Sequence, residues 1–249
     1  MKGLCAIISG GEYSPMDDIK AAEYIIACDR GYSYAKRSGI VPDLLLGDFD
    51  SYTGKLPEGA AVERLPREKD DTDTMHAVRR ALELGFTRIS LYCALGGRLD
   101  HMLANLQAAS YAAERGVPVQ LFSRGCEAYI FSGGSVRIPA RAGCSLSVLS
   151  LSDRCTGVSI TGVKYPVEHA TITNRFPIGT SNEWRGEAHI SLESGIMAAL
   201  LAEQYCQLLR ALPDVEYQPE RSAHHASYLP AQEDPAQEGA RLPQENEDR

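Results

Sequence analysis

The chain has 249 residues, enough for one large domain or two small ones around a substantial core. Its net charge of −8 is concentrated at the end: residues 213–249 carry nine acidic and three basic side chains, leaving 24 acidic against 22 basic before them. The nearly neutral body has no Lys/Arg stripe to neutralise a run of phosphates, so nucleic acid is not an expected partner, and no segment approaches membrane-spanning length.

Along the chain, Leu4 to Ile8 reads as a buried strand ending at Ser9-Gly10-Gly11, and Tyr24 to Cys28 as a second ending at Asp29-Arg30-Gly31. Leu44 to Leu46 is a third, feeding into Gly47-Asp48. After Asp73, the apolar residues Met75, Val78, Ala81 and Leu82 fit a helix that closes at Gly85. Ile89 to Ala94 is a further strand, Leu99, Leu103, Leu106 and Ala109 mark a helix running to Gly116, and Val119 to Phe122 completes the series. Strands alternating with helices of this length predict a parallel sheet covered on both faces, whose ligands bind beyond the carboxyl ends of the strands.

From about Ala128 the rhythm changes to short β-like runs: Ser135 to Ile138, Ser145 to Leu149, Val158 to Thr161 and Glu187 to Leu192, with Ser194-Gly195 read as a hairpin turn into Ile196 to Leu200. These predict a smaller antiparallel β domain. The stretch from Pro213 has five of the thirteen prolines and few large apolar residues, too few to offset its ordering entropy, and is expected to be disordered. Seven cysteines without a C-x-x-C pair argue for reduced thiols in the cytoplasm, mostly as small core residues. The start, Met1-Lys2-Gly3-Leu4, runs straight into a strand without the apolar stretch and cleavage site that secretion needs.

The polar residues gather in three clusters: Gly47-Asp48-Phe49-Asp50-Ser51, Lys69-Asp70-Asp71-Thr72-Asp73, and Gly96-Gly97-Arg98-Leu99-Asp100-His101. Mg²⁺ shares itself among one or two carboxylates, waters and substrate phosphates, so this density of aspartate beside glycine and basic residues suggests a divalent-metal phosphate site. In an extended backbone Asp48 and Asp50 would face the same side, although a capped turn explains a D-x-D pair equally well. Asp70 to Asp73 also reads as an acidic helix start, with Thr72 or Asp71 as its cap. Gly96-Gly97-Arg98 lies between a strand and a helix, where backbone amides and a guanidinium fork meet phosphate oxygens, and Asn105 shares the helix face of His101. In the second half, Ser181-Asn182-Glu183-Trp184 offers an aromatic ring and a carboxylate to an organic cation such as a thiazolium; a β-turn with Trp184 on the core is the plainer alternative.

With these clusters, together with Cys28-Asp29-Arg30-Gly31 and Thr161-Gly162-Val163-Lys164-Tyr165-Pro166, the chain closely resembles thiamine pyrophosphokinase (thiamine diphosphokinase), especially its bacterial form, over about residues 3 to 205. The resemblance implies an α/β fold: an N-terminal Rossmann-like α/β domain with a mostly parallel sheet, plus a smaller C-terminal antiparallel β-sandwich domain. Its expected bounds are 1–126 for the catalytic unit, 127–212 for the thiamine-binding unit and 213–249 for the acidic tail. It further implies ATP as co-substrate, Mg²⁺ as cofactor, thiamine as acceptor, and a homodimer with active sites between subunits. Carried over residue by residue, Asp48, Asp50 and Asp73 match metal-site aspartates, while Asp29, Thr72, Arg98, Asp100 and His101 match positions around the nucleotide phosphates. Arg30, Lys69, Asp70, Gly96, Gly97 and Asn105 are further nucleotide-side candidates. Ser181, Asn182, Glu183 and Trp184 fall on the thiamine side, and Asp100 or Asp73 is the candidate acceptor of the hydroxyl proton. Two rival readings share these residues: a pyrophosphokinase for another heterocyclic alcohol, such as a hydroxymethylpterin, and a non-catalytic nucleotide or thiamine sensor.

Overall fold

The structure is a computed structural model that describes residues 2–49, 61–66 and 70–203. Asp50, Lys69 and the acidic tail lie outside the described residues. Six strands pair in parallel: β1 (Lys2–Ile8), β2 (Tyr24–Cys28), β3 (Leu44–Gly47), β4 (Ala61–Arg64), β5 (Phe86–Tyr92) and β6 (Val119–Ser123), in the order β4-β3-β2-β1-β5-β6. The connections carry α1 (Gly31–Arg37), α2 (Asp73–Glu83) and α3 (Leu99–Glu114).

The period of two along each strand sorts its residues between two cores. Cys5 and Ile7, Ile26 and Cys28, Leu44 and Leu46, Ile89 and Leu91 pack under α2 and α3. Ala6 and Ile8, Ala27, Leu45 and Tyr92 pack on the opposite side with α1 and with Ile19 of a 3-10 turn, Asp17–Ala21. Both faces are covered, which is why these strands read as unbroken apolar runs in the sequence.

Helix α3 departs from expectation. Leu99 and Leu103 are 65% and 53% exposed. Of the expected residues Ala109 is buried and Leu106 packs against the core, and the rest of the inward face is Asn105, Ala108, Ala112 and Ala113. Spacing alone selects the large apolar residues as the inward stripe, whereas alanines let the helix backbone lie close on the sheet, and the two stripes are rotated from one another.

Beyond β6 the sheet turns antiparallel through β7 (Cys126–Ile138), which pairs with β6 and with β11 (Trp184–Glu203). The first part of β11 pairs with β9 (Arg154–Val163), which carries β10 (Val167–Thr173) on its other edge; the second part pairs with β8 (Cys144–Ser150). Ser194-Gly195 is therefore not a hairpin turn. The strand runs through it, and its register against β7 shifts between Leu192 and Ile196. Such a bulge bends a strand, so one strand serves both layers of a sandwich around Leu146, Val148, Val158, Ile160, Ile172, Ile190 and Met197. A small residue pair between two apolar runs reads the same for a turn as for a bulge. Among the described residues no helix is long and apolar enough to cross a membrane.

Candidate active site

The chain proceeds from β1 to β2, β3 and β4 on one side, then crosses to place β5 on the other side of β1. Ligands of open α/β sheets bind at such a reversal, beyond the carboxyl ends of the flanking strands. A cleft of about 890 Å³ opens there, lined by the loop after β1 (Ser9 to Tyr13), by Asp29 and Arg30 after β2, Asp48 after β3, Asp71 to Thr74 at the start of α2, Gly96 to Arg98 after β5, and His101 and Asn105 on α3.

One side of the cleft is acidic. The amide of Asp29 donates to the Leu46 carbonyl at 2.9 Å, bringing the ends of β2 and β3 together. Directly after Asp48, buried Phe49 sits at φ 57°, a left-handed conformation costly for a bulky side chain; the expected same-side pairing of Asp48 with Asp50 falls outside the described residues. The Phe49 ring packs into the α1-side core, and burial there offsets the strain. Asp73 opens α2, whose cap is Thr72: its hydroxyl accepts the Met75 N–H at 3.2 Å. Buried Ser9 and Thr74 hydroxyls meet at 3.0 Å and tie that helix start to the end of β1. Asp71 is held by His76 Nε2 at 3.0 Å and Arg79 at 2.7 Å. Asp70 is exposed and does not line the cleft.

Among the described residues, no three His, Cys, Asp or Glu side chains form a complete metal cage. Asp48 and Asp73 nevertheless line one cleft. Two carboxylates are the share of a Mg²⁺ shell that a protein supplies when substrate phosphates and water complete the octahedron. The donor set fits that ion.

The loop after β5 lines the same cleft, with the Glu12 side chain against Gly96. Gly96 and Gly97 have φ 85° and 77°, two successive left-handed residues that only glycine adopts without strain. Buried Asn105 donates its amide N–H to the Ala94 carbonyl at 2.6 Å, pinning the loop where it leaves β5. The Arg98 fork meets Asp100 at 3.1 Å through Nε and at 2.6 Å through a terminal nitrogen. That guanidinium holds the Asp100 carboxyl below the usual carboxylate range, with help from the His101 N–H at 2.9 Å. A carboxyl so stabilised as an anion is a weak proton acceptor, and Asp100, unlike Arg98 and His101, does not line the cleft.

Ser181 to Trp184 lie elsewhere, against β8 and β9, and none lines the cleft. The buried Asn182 side chain is fully engaged. Its Oδ1 accepts the N–H groups of Tyr165 and Glu183, both at 3.0 Å, and its Nδ2 donates to the Tyr165 carbonyl at 2.9 Å. Trp184 donates its indole N–H to the Cys144 carbonyl at 2.8 Å and packs against the second core, as in the plainer of its two readings. Ser181, at φ 57°, and Glu183, paired with Lys164 at 2.6 Å, remain exposed.

Sequence reasoning missed the loop after β1 and its neighbours Tyr34 and Arg37. The available signal was Gly31: a Cβ there would collide with the Ile8 carbonyl oxygen, so a glycine directly after Asp29-Arg30 marks the place where α1 closes on the end of β1.

Residues 17–121 match the family profile described as "Thiamin pyrophosphokinase, catalytic domain", and residues 135–197 the profile "Thiamin pyrophosphokinase, vitamin B1 binding domain". Thiamine pyrophosphokinase of Bacillus subtilis (strain 168) is 29% identical over 164 residues, covering 64% of this chain and 77% of its own. The crystal structure of thiamine pyrophosphokinase from Bacillus subtilis superposes with a TM-score of 0.72 at 26% identity, covering 82% of this chain and 100% of that one. That of the Geobacillus thermodenitrificans protein gives 0.69 at 26% identity, covering 81% and 98%.

Proposed function

The chain belongs to the thiamin pyrophosphokinase family, and from that premise we infer that it is a thiamine pyrophosphokinase, transferring the terminal diphosphate of ATP to the hydroxyl of thiamine to give thiamine diphosphate and AMP. The observation that carries this reading is the occurrence of both family domains in order along one chain. The pterin-alcohol and sensor readings gain no support from these likenesses.

The site residues of this reading are proposals drawn from the geometry. Asp48 and Asp73, with Asp50 from outside the described residues, would hold Mg²⁺, which when bound screens the charge of the triphosphate oxygens. Gly96, Gly97 and Arg98 receive phosphate oxygens, and Asn105 keeps their loop in place. Transfer through a loose transition state asks little of a base and much of positioning, so the thiamine hydroxyl attacks the β-phosphorus in line, AMP leaves, and no covalent enzyme intermediate forms. Of the two candidate proton acceptors, Asp73 lines the cleft and Asp100 is committed to Arg98; because Mg²⁺ on Asp73 would lower its basicity as Arg98 lowers that of Asp100, neither carboxylate is assigned as a general base. Release of AMP from ATP should depend on thiamine and on Mg²⁺. Equal release with a hydroxymethylpterin, or none with any alcohol despite ATP binding, would overturn the assignment.

The reading includes a catalytic unit over 1–126, a thiamine-binding unit over 127–212, a cytoplasmic location and a homodimer. Supporting the dimer, Ser181 and Glu183 do not line their own subunit's cleft, so thiamine held there meets ATP if the partner's cleft faces it. Mixed dimers of Asp48→Asn and Glu183→Gln chains, each inactive alone, would then regain one intact site and about a quarter of the normal turnover at statistical mixing. Subunits that exchange without any recovery would rule out the shared site.

A further inference from the structure

Three arginines line the cleft, and they are held differently. Arg98 is neutralised by Asp100. Among the described residues Arg30 and Arg37 have no carboxylate partner, and each guanidinium lies over an aromatic ring: Arg37 4.2 Å from the centroid of Tyr13, Arg30 5.5 Å from that of Tyr34.

The rings form a braced frame. Tyr13 and Tyr34 meet edge to face at 5.5 Å. The hydroxyl of buried Tyr34 donates to the Gly11 carbonyl at 2.8 Å, the Tyr13 hydroxyl meets Ser38 Oγ at 3.2 Å, and the Gly11 N–H donates to the Cys93 carbonyl at 2.9 Å. The loop after β1 is thus fastened to α1 on one side and to the end of β5 on the other. A ring orients a guanidinium without cancelling its charge, and a guanidinium lying on a ring keeps its edge N–H groups for a second partner. Glu12 and Asp29 line the same cleft beside Tyr13 and Arg30, so the two guanidiniums are the groups there that offer positive charge to an anion without a carboxylate partner among the described residues.

Resting on the reading of this cleft as a nucleotide site, we propose that Arg37, braced by Tyr13, is a polyphosphate-binding residue and acts beside Arg30 on the phosphate chain of a nucleoside triphosphate. No motif of the sequence marks Arg37. It reaches the cleft only because α1 is held against β1, and it ends that helix as an exposed residue whose loss leaves the core untouched.

Calorimetric titration of the full chain tests this without any turnover. Arg37→Ala is expected to weaken binding of Mg-ATP and of inorganic tripolyphosphate alike by about 10- to 100-fold, the range for a charge-assisted contact, while adenosine binding is unchanged. Tyr13→Leu should weaken both phosphate ligands by a smaller factor, Tyr13→Phe should not, and the Tyr13→Leu/Arg37→Ala double variant should bind no worse than Arg37→Ala. Mg-ATP affinity within twofold of wild type for Arg37→Ala, or a loss confined to adenosine, overturns the proposal; additive effects of the two changes overturn the bracing by Tyr13. A chain that releases no AMP with thiamine but shows the Arg37 effect would refute the assigned reaction and leave this proposal standing.

Discussion

Asp73→Asn is expected to lower thiamine-dependent AMP release by about 10²- to 10³-fold or more, the usual cost of removing one preorganised electrostatic partner of a transferring group, while the protein stays folded. The change keeps the shape of the side chain and one oxygen, and removes the charge. Its effect on stability is small because α2 is capped by Thr72, not by Asp73. The acidic group in the first turn of the helix itself contributes about 0.3–1 kcal/mol. Asp48→Asn should behave in the same way, and Asp70→Asn, outside the cleft lining, should be close to wild type. Circular dichroism and melting curves would establish the fold of each variant. Near-normal turnover in folded Asp48→Asn or Asp73→Asn protein would remove both residues from the proposed metal site.

Asn182→Ala is the change with the largest expected effect on stability outside the apolar cores. Three side-chain hydrogen bonds end on this one buried amide, and truncation strands the N–H and C=O of Tyr165 and the N–H of Glu183. Each net bond is worth about 1 kcal/mol, and the freed backbone groups belong to exposed residues that water can reach, so a loss of about 1–3 kcal/mol follows. For a chain of this size that is a fall of roughly 5 °C in melting temperature. Because the amide also holds the backbone N–H of Glu183, thiamine affinity should fall together with stability, whereas Glu183→Gln should abolish thiamine-dependent turnover with the melting temperature unchanged. A melting temperature within a degree of wild type for Asn182→Ala would show that the amide is not a clamp. The resemblance makes Asn182 a candidate on the thiamine side; its polar atoms already have protein partners, so any effect of its loss on thiamine is expected to come through the neighbours it holds.

Elements with a strong local signal were legible in the sequence. The strands of the parallel sheet came from apolar runs long enough to be buried on both faces, and α2 from its apolar period, its cap and Gly85. Gly96-Gly97 was legible as the junction between a strand and a helix; its left-handed backbone came from the structure. Elements whose identity depends on distant partners were not legible: β4 is exposed and short, the bend in β11 looks like a turn until β8 and β9 are seen on its two halves, and the inward face of α3 is lined by alanines that a count of large apolar residues passes over.

The sequence alone determined which residue types are available for phosphate chemistry and the order in which they occur, because carboxylates, paired glycines and caps are written locally. Only the tertiary structure decided which of them meet. It brought Asp48, Asp73, Gly96 and Arg98 to one cleft, since the three connections that carry them end at the reversal of strand order, and added Tyr13 and Arg37 to it. It set Asp70 and Asp100 off that lining and gave the side chains of Asn182 and Trp184 protein partners, because the loop at Tyr165 and the start of β8 at Cys144 bring backbone groups within hydrogen-bond reach of them.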